Sequence, residues 1–486
     1  MTTLLISLAI LIGGYFLYGA LAEKIFGTDP SRPTPAITNA DGVDFVVMPT
    51  WKVFLIQFLN IAGMGPIFGA IMGIMFGPAA FIWIVAGTIF AGAVHDFIAA
   101  MISLRGGGLS LPELVGNELG TGVKQLMRGF TLALLILIGA VFVITPSQVL
   151  AQLTPSWLDV TVCAVLIFIY YILATMLPID KLIGRIYPLF GAALLFMGIA
   201  LLGYMIFSGI EIPDGFAEGL HNRRADAASG THPLFPVLCI TIACGAISGF
   251  HATQSPLMAK CLKNERLARP VFYGAMVAEG IIAIIWAAAA IAFTGGYEGV
   301  ASYMAQEGHS TGTFVTDLSF TWLGTFGGAL AILGVVAAPI STGDTALRSA
   351  RLIIAEIFRL PQKKLLNRIM ICAPLFVMTF ILMMVDFNVL WRYFAWCNQT
   401  LAVFTLWACT VWLARHGKVY LITLVPALFM QTVTVSYILL APRPEGFGLP
   451  HTLSYGIAAL SCVLALAMFA ISLRSLRSGR LKTDFT

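Results

Sequence analysis

Two stretches of this sequence decide its fold: Asn60-Ile61-Ala62-Gly63-Met64-Gly65-Pro66 and Gly245-Ala246-Ile247-Ser248-Gly249-Phe250-His251-Ala252-Thr253-Gln254-Ser255-Pro256. Each interrupts an apolar run of about 20 residues, the length that crosses a hydrocarbon core. Glycine and proline leave backbone groups unpaired there, which is tolerated only where the segment is buried in protein or borders a watery cavity. Gly and Pro are also frequent in ordinary membrane helices. A single break therefore says little, and two in matching places say more.

Around the breaks, composition names the solvent. The 486 residues are 59% hydrophobic and 10% charged, whereas a soluble domain carries about 25% charged residues. Hydropathy gives thirteen apolar spans, at 3–22, 51–76, 78–103, 125–145, 158–178, 186–208, 234–258, 270–294, 318–346, 366–385, 388–413, 418–440 and 451–473. Alternating the loops between these spans puts 24 of the 28 Lys and Arg on one side and leaves Arg223, Arg224, Arg392 and Arg443 on the other. A miscounted span would mix the two sets. The positive-inside rule then predicts an outer N-terminus and a cytoplasmic C-terminus. The net charge of +5 is thus a topology signal and not a nucleic-acid one.

The spacing of the breaks gives the organisation. They lie within spans two and seven, so each broken span heads a set of five, and an odd number per set inverts the second set relative to the first. Broken first helices in inverted repeats point to a midplane substrate site in secondary transporters. The expected fold is an all-α polytopic membrane protein with an inverted 5+5 repeat. Residues 1–50 supply the first span and a loop, 51–208 the first repeat, 209–233 an external loop with Glu211, Asp214, Glu218 and Asp226, 234–413 the second repeat, and 414–486 two further spans and a tail. Ala20-Leu21-Ala22 resembles a signal-peptidase site, but no Lys or Arg precedes it and the apolar run is long, so a retained first span is expected. Ser110-Leu111-Pro112-Glu113 has the pattern of a capping box opening an interfacial helix over 109–119. No G-x-x-x-x-G-K-[ST] occurs, and the eight cysteines are scattered without a C-x-x-C. Neither a nucleotide site, a zinc site nor a disulfide framework is expected, and no cofactor is either.

Ionisable groups at membrane depth cost several kcal/mol and are functional candidates. His95 and Asp96 lie in span three, pointing about 100° apart, so one can face a cavity while the other pairs with a neighbouring helix; a structural Asp held by backbone donors is the alternative. Glu279 stands alone in span eight and suits proton binding, or a hydrogen bond tying two helices. His251 sits in the second break and can meet an anionic substrate or a proton, or can simply cross-link the unwound segment. A metal site among these four has no ligand spacing to support it. Ser341, Thr342 and Asp344 offer hard oxygens for Na⁺ or a proton relay, with an i,i+4 pair between Asp344 and Arg348 at the cytoplasmic rim as the plainer reading. Asn398 and Gln399 place two amides in an aromatic helix (Trp391, Tyr393, Phe394, Trp396), where they can bridge helices or meet substrate. The expected substrate-binding residues are Gly63, Met64, Gly65, Pro66, Ser248, Gly249, Phe250, His251, Thr253, Gln254, Asn398 and Gln399. The expected coupling residues are His95, Asp96, Glu279, Ser341, Thr342 and Asp344.

Gly65-Pro66-Ile67-Phe68-Gly69, Gly92-Ala93-Val94-His95-Asp96, Ile247 to Pro256, Ile340 to Leu352 and Asn398-Gln399-Thr400-Leu401-Ala402 together resemble the carbon starvation protein A (CstA) family, in its shorter branch. The resemblance implies a bacterial inner-membrane importer of peptides or pyruvate. It also implies likeness to the amino acid–polyamine–organocation superfamily and its LeuT-like fold, in which span nine corresponds to the sodium-binding helix and Ser341 and Thr342 become ion-site candidates. Asp344 departs from that pattern and leaves Na⁺ against H⁺ open. The lysine that some proton-coupled members carry in the fifth helix of the first repeat is missing from span six. The competing readings are a channel, which needs a polar stripe along several helices, and a membrane-embedded enzyme, which needs clustered catalytic residues.

Overall fold

The computed structural model describes the chain except Val43, Leu177, Pro178, Asp214, Gly215, Glu218, Ala225, Asp226, Ala228, Ser229, Thr231, Lys363, Asp386, Pro444 and residues 478–486, with backbone alone for 179–186, 387–389 and 475–477. The loop acids Asp214, Glu218 and Asp226, and the basic side chains of Lys181, Arg185, Lys363, Arg477, Arg480 and Lys482, lie outside the described residues.

A backbone in hydrocarbon has no water to bond, so it closes its hydrogen bonds on itself as helix. The described residues accordingly form helices and connecting loops, without a strand. In chain order the main helices are α1 (Thr2–Phe26), α2 (Thr50–Ala62), α3 (Gly65–Phe76), α4 (Ala79–Arg105), α5 (Leu111–Leu119), α6 (Thr121–Leu153), α7 (Val160–Met176), α8 (Ile179–Phe207), α9 (Leu234–Thr241), α10 (His251–Ala259), α11 (Glu265–Thr294), α12 (Tyr297–Met304), α13 (Thr311–Ile357), α14 (Leu365–Leu382), α15 (Phe387–Arg415), α16 (Leu421–Leu440) and α17 (His451–Arg477). Ten are long and apolar enough to cross a membrane among the described residues, and the bent pair α2–α3, which turns by 50°, makes eleven. Large apolar side chains such as Leu17, Phe207, Phe326 and Met468 point outward, as a lipid solvent permits.

Inner polar groups show how the helices are tied. Pro146 lies inside α6 and deprives the Phe142 carbonyl of its i+4 donor. The Tyr171 hydroxyl on α7 supplies one at 2.8 Å and also lies 3.1 Å from the Pro339 carbonyl of α13. Gly343 leaves it room, since a Cβ there would stand 2.1 Å from the hydroxyl. Helices α6, α7 and α13 are thereby pinned at one point.

Several expectations change. Helix α13 runs well beyond 318–346 and bends at Gly324, whose φ is 65°. Helix α5 begins after Ser110, but no capping box forms: Ser110 Oγ donates to Glu356, and Glu113 pairs with Lys124 and Arg128. Tertiary partners outcompete the local cap because they carry full charges. The ion pairs at the loop ends, Arg105–Glu265, Arg269–Glu23, Arg351–Asp44, Arg415–Glu118 and Arg392–Glu445, each join residues that the sequence partition puts on one side.

Candidate functional site

The helix α2 stops at Ala62 because Gly63 takes φ 45° and ψ −134°, a conformation that favours glycine. A π-turn, Gly65–Gly69, restarts the chain. The second break is longer: α9 ends at Thr241 and α10 starts at His251, so Ile242–Phe250 is unwound. His251 is therefore the first helical residue, while Thr253 and Gln254 lie inside α10 and not in the unwound part.

Unwound backbone at membrane depth needs donors and acceptors from elsewhere, and helices α4 and α15 supply them. Trp83 Nε1 donates to Ile242 O at 3.0 Å and Thr88 Oγ1 to Gly245 O at 2.8 Å. Asn398 Oδ1 accepts from the Phe250 N–H (2.7 Å) and from Ser248 Oγ (3.0 Å), Gln399 Nε2 donates to Ile247 O (2.9 Å), and the Gly249 N–H donates to Asn398 O (3.2 Å). Of the two readings for these amides, the structure displays the bridging one. Gly249 is required by this approach, since a Cβ would lie 2.3 Å from Ala402 N and 2.4 Å from Asn398 O.

The two breaks touch each other. A Cβ on Gly65 would stand 2.1 Å from Cys244 Cβ, and one on Gly245 would stand 3.4 Å from Pro66 Cα. On one side of this junction is a cavity of about 210 Å³, lined by Gly65, Phe68, Cys244, Arg224, Trp391, Arg392, Phe394, Tyr437 and Glu445, among others. Arg392 pairs with Glu445. Of the expected substrate residues, Gly65 lines this cavity; Met64, Ser248, His251 and Gln254 are buried in the helix packing. The arginines were legible in a way that went unused: Arg224 and Arg392 are two of the four that break the charge asymmetry.

Next to the junction, beyond Cys244, lies a fully buried ionisable cluster. Asp96 accepts or shares hydrogen bonds through both oxygens, with His95 Nδ1 at 2.8 Å and His251 Nδ1 at 2.9 Å. His251 Nε2 is 3.5 Å from Glu279 Oε2. Two expectations are corrected here. His95 and Asp96 do not diverge, because the imidazole folds back onto its neighbour's carboxylate. Glu279 is not solitary, because α10 brings His251 across from 28 positions away in the sequence.

Two further groups sit along α13. Asp344 is not at the rim: it is fully buried, held by Tyr187 Oη at 2.6 Å and Thr175 Oγ1 at 3.4 Å, while Arg348 Nη2 donates to Ala174 O at 2.7 Å. The rim reading failed because α13 continues past Arg348 to Ile357. Thr342 Oγ1 lies 2.9 Å from Ala338 O, 3.1 Å from Asn60 O and 3.3 Å from Leu59 O, beside the first break, and Ser341 Oγ donates to Ala338 O at 2.8 Å.

Two broken helices that touch at their breaks, packed among long apolar helices, define the LeuT-like class of transporter fold. A substrate-bound outward-open Na⁺-coupled sialic acid symporter superposes with a TM-score of 0.56 at 16% identity, over 94% of this chain and 96% of that one. The chain belongs to the carbon starvation protein CstA family, whose description matches residues 1–213, 156–324 and 311–437. It is 44% identical over 58% of its length to an uncharacterized membrane protein of Haemophilus influenzae, covering 89% of that protein. It is 33% identical over 56% of its length to the pyruvate/proton symporter BtsT of Escherichia coli, and 32% identical over 56% to the peptide transporter CstA of Campylobacter jejuni. Those two matches span 46% and 47% of the named transporters, so about half of each is represented. The chain is a multi-pass protein of the inner membrane, and its named relatives are transporters.

Proposed function

We propose that this chain is a secondary active transporter that imports small organic nutrients, pyruvate or short peptides, by alternating access. The observation that carries this is the junction itself: the two breaks touch, with a cavity and a buried Asp96–His251–Glu279 cluster both adjoining Cys244. Substrate occupies the cavity, where Arg224 supplies a cation for a carboxylate and the Trp391 and Phe394 rings supply apolar cover. Rocking of the repeat 51–208 against its inverted counterpart 234–413 opens the junction to the other side. The chain crosses the membrane thirteen times, with its N-terminus outside and its C-terminus in the cytoplasm.

Proton coupling is the better supported route. His251 stands between two carboxylates, and a proton taken up there changes the charge of a dry cluster abutting both breaks, which is a way to bias which side is open. Sodium coupling is the second reading, favoured by the Thr342 hydroxyl and the Leu59, Asn60 and Ala338 carbonyls, an all-oxygen set beside the first break. No enzymatic role is proposed. The test is uptake of labelled pyruvate and of di- and tripeptides into proteoliposomes under an imposed H⁺ or Na⁺ gradient. Gradient-driven uptake that His251→Ala abolishes is expected; absence of gradient-driven uptake of both substrate classes overturns the proposal.

A further inference from the structure

Cys244, His251 and Glu279 come from three parts of the chain: the second break, the start of α10 and the middle of α11. Each offers one ligand atom, and the three atoms lie within 4.8 Å of one another. All three residues are buried. Neither oxygen of Glu279 completes a hydrogen bond, and His251 Nε2 has none; the Gly245 amide is a further polar neighbour of Glu279. Unpartnered buried polar atoms are rare and call for an explanation, among which a missing ion ranks high. Here the unpartnered atoms converge.

We propose that Cys244 Sγ, His251 Nε2 and a Glu279 oxygen form a binding site for a divalent ion of borderline softness, of the zinc and cobalt class. Four observations carry it. The donor set is thiolate, imidazole and carboxylate, the mixture that selects such ions over Mg²⁺ or Ca²⁺. The separations suit it: tetrahedral ligands at ordinary bond lengths stand roughly 3.4–3.7 Å apart, and His251 Nε2 is already 3.5 Å from Glu279 Oε2. The orientation is set from outside, since Asp96 Oδ2 holds His251 Nδ1 at 2.9 Å and so aims Nε2 at the site, the carboxylate–histidine arrangement found behind metal ligands. The ligands' own charges balance, because one thiolate and one carboxylate neutralise a divalent ion, with Asp96 standing outside them as the partner of His251 Nδ1. Cys244 also lines the cavity beside the junction, which gives the ion an entry path and leaves a fourth position for water or a substrate oxygen.

His251 and Glu279 are the groups assigned to proton coupling above, so an ion bound to them displaces those protons and inhibits transport; that consequence rests on the proposed function, while binding itself does not. The binding test is therefore spectroscopic. The purified full-length protein, in detergent, is titrated with Co²⁺. One ion per chain is expected, with a thiolate-to-cobalt charge-transfer band and the intense visible bands of a tetrahedral site, all displaced by Zn²⁺. Cys244→Ser removes the charge-transfer band while leaving the metal-free protein as monodisperse and thermostable as the parent. Asp96→Asn weakens Co²⁺ binding about 10–100-fold without touching a ligand. A parent protein without a thiolate band overturns the proposal, and so does a band that survives Cys244→Ser, which would move the site to another cysteine. Zinc inhibition of uptake, lost in Cys244→Ser, is the separate second arm: normal spectra with no inhibition refute the coupling assignment and leave the site standing.

Discussion

Replacing Asn398 by alanine tests the idea that helix α15 holds the second break open. Its Oδ1 accepts from the Phe250 N–H at 2.7 Å and from Ser248 Oγ at 3.0 Å, in a fully buried setting. In Asn398→Ala both donors lose their acceptor. Each buried donor left unsatisfied costs about 1–3 kcal/mol, so the loss is about 2–6 kcal/mol. Gln399→Ala leaves the single buried Ile247 carbonyl without its donor, at a cost of about 1–3 kcal/mol. Thr400→Ala removes a hydroxyl that bonds the Trp396 carbonyl one turn back in its own helix, an interaction that adds nothing to helix stability. The expected order of destabilisation is thus 398, then 399, then 400. Thermal unfolding in detergent, followed by intrinsic tryptophan fluorescence, reads the order directly, and proteoliposome uptake should fall in the same sequence. Equal unfolding temperatures for Asn398→Ala and Thr400→Ala would refute the claim that these amides stand in for missing helical hydrogen bonds.

Gly65→Ala places a methyl 2.1 Å from Cys244 Cβ, where carbon contacts need about 3.5–4.0 Å; overpacking by about 1–3 kcal/mol and a transport defect larger than the stability loss are expected, read by comparing uptake at matched thermostability margins. Tyr187→Phe strips Asp344 of its 2.6 Å hydrogen bond and should destabilise by about 1.5–3 kcal/mol. In a double-mutant cycle with Asp344→Asn, a coupling energy near zero would show that the hydroxyl does not serve the carboxylate. Thr342→Val should leave uptake unchanged under a proton gradient; loss of Na⁺-dependent uptake instead would favour the sodium reading. Burial pushes the Glu118 carboxyl on α5 up to about 7, partly offset by Arg415. Because the folded protein holds that proton more tightly than the unfolded chain, this residue's contribution is favourable at low pH and is lost as pH rises from about 4.5 through 7. The stability difference between the parent and Glu118→Gln should therefore shift in the variant's favour over that window, and a flat difference from pH 5 to 8 would contradict it.

Period and charge made the membrane class and the positions of both breaks readable. Gly63, Gly65, Gly245 and Gly249 mark them, because a helix in hydrocarbon cannot spare a backbone bond without a local reason. The bias of Lys and Arg grouped the loops by side, and the ion pairs keep to that grouping. Elsewhere the one-dimensional reading went astray at contacts between distant segments. Spacing along one helix put Asp344 against Arg348, but Tyr187, from a helix 157 positions away, reaches it first. The bridges that Asn398 and Gln399 make came into view only once the unwound Ile247–Phe250 backbone lay beside them.

The sequence by itself determined that this protein lives in a bilayer as helices and that two of its spans are broken, since both follow from the cost of unpaired polar backbone in hydrocarbon. Only the tertiary structure decided that the breaks touch at Gly65 and Cys244, that His251 lies between Asp96 and Glu279, and that the cavity draws on Arg224 and Arg392. The physical reason is range. Backbone hydrogen bonding is settled within a turn of helix, whereas a cluster of buried charges exists only where separate helices pack closely enough to share them.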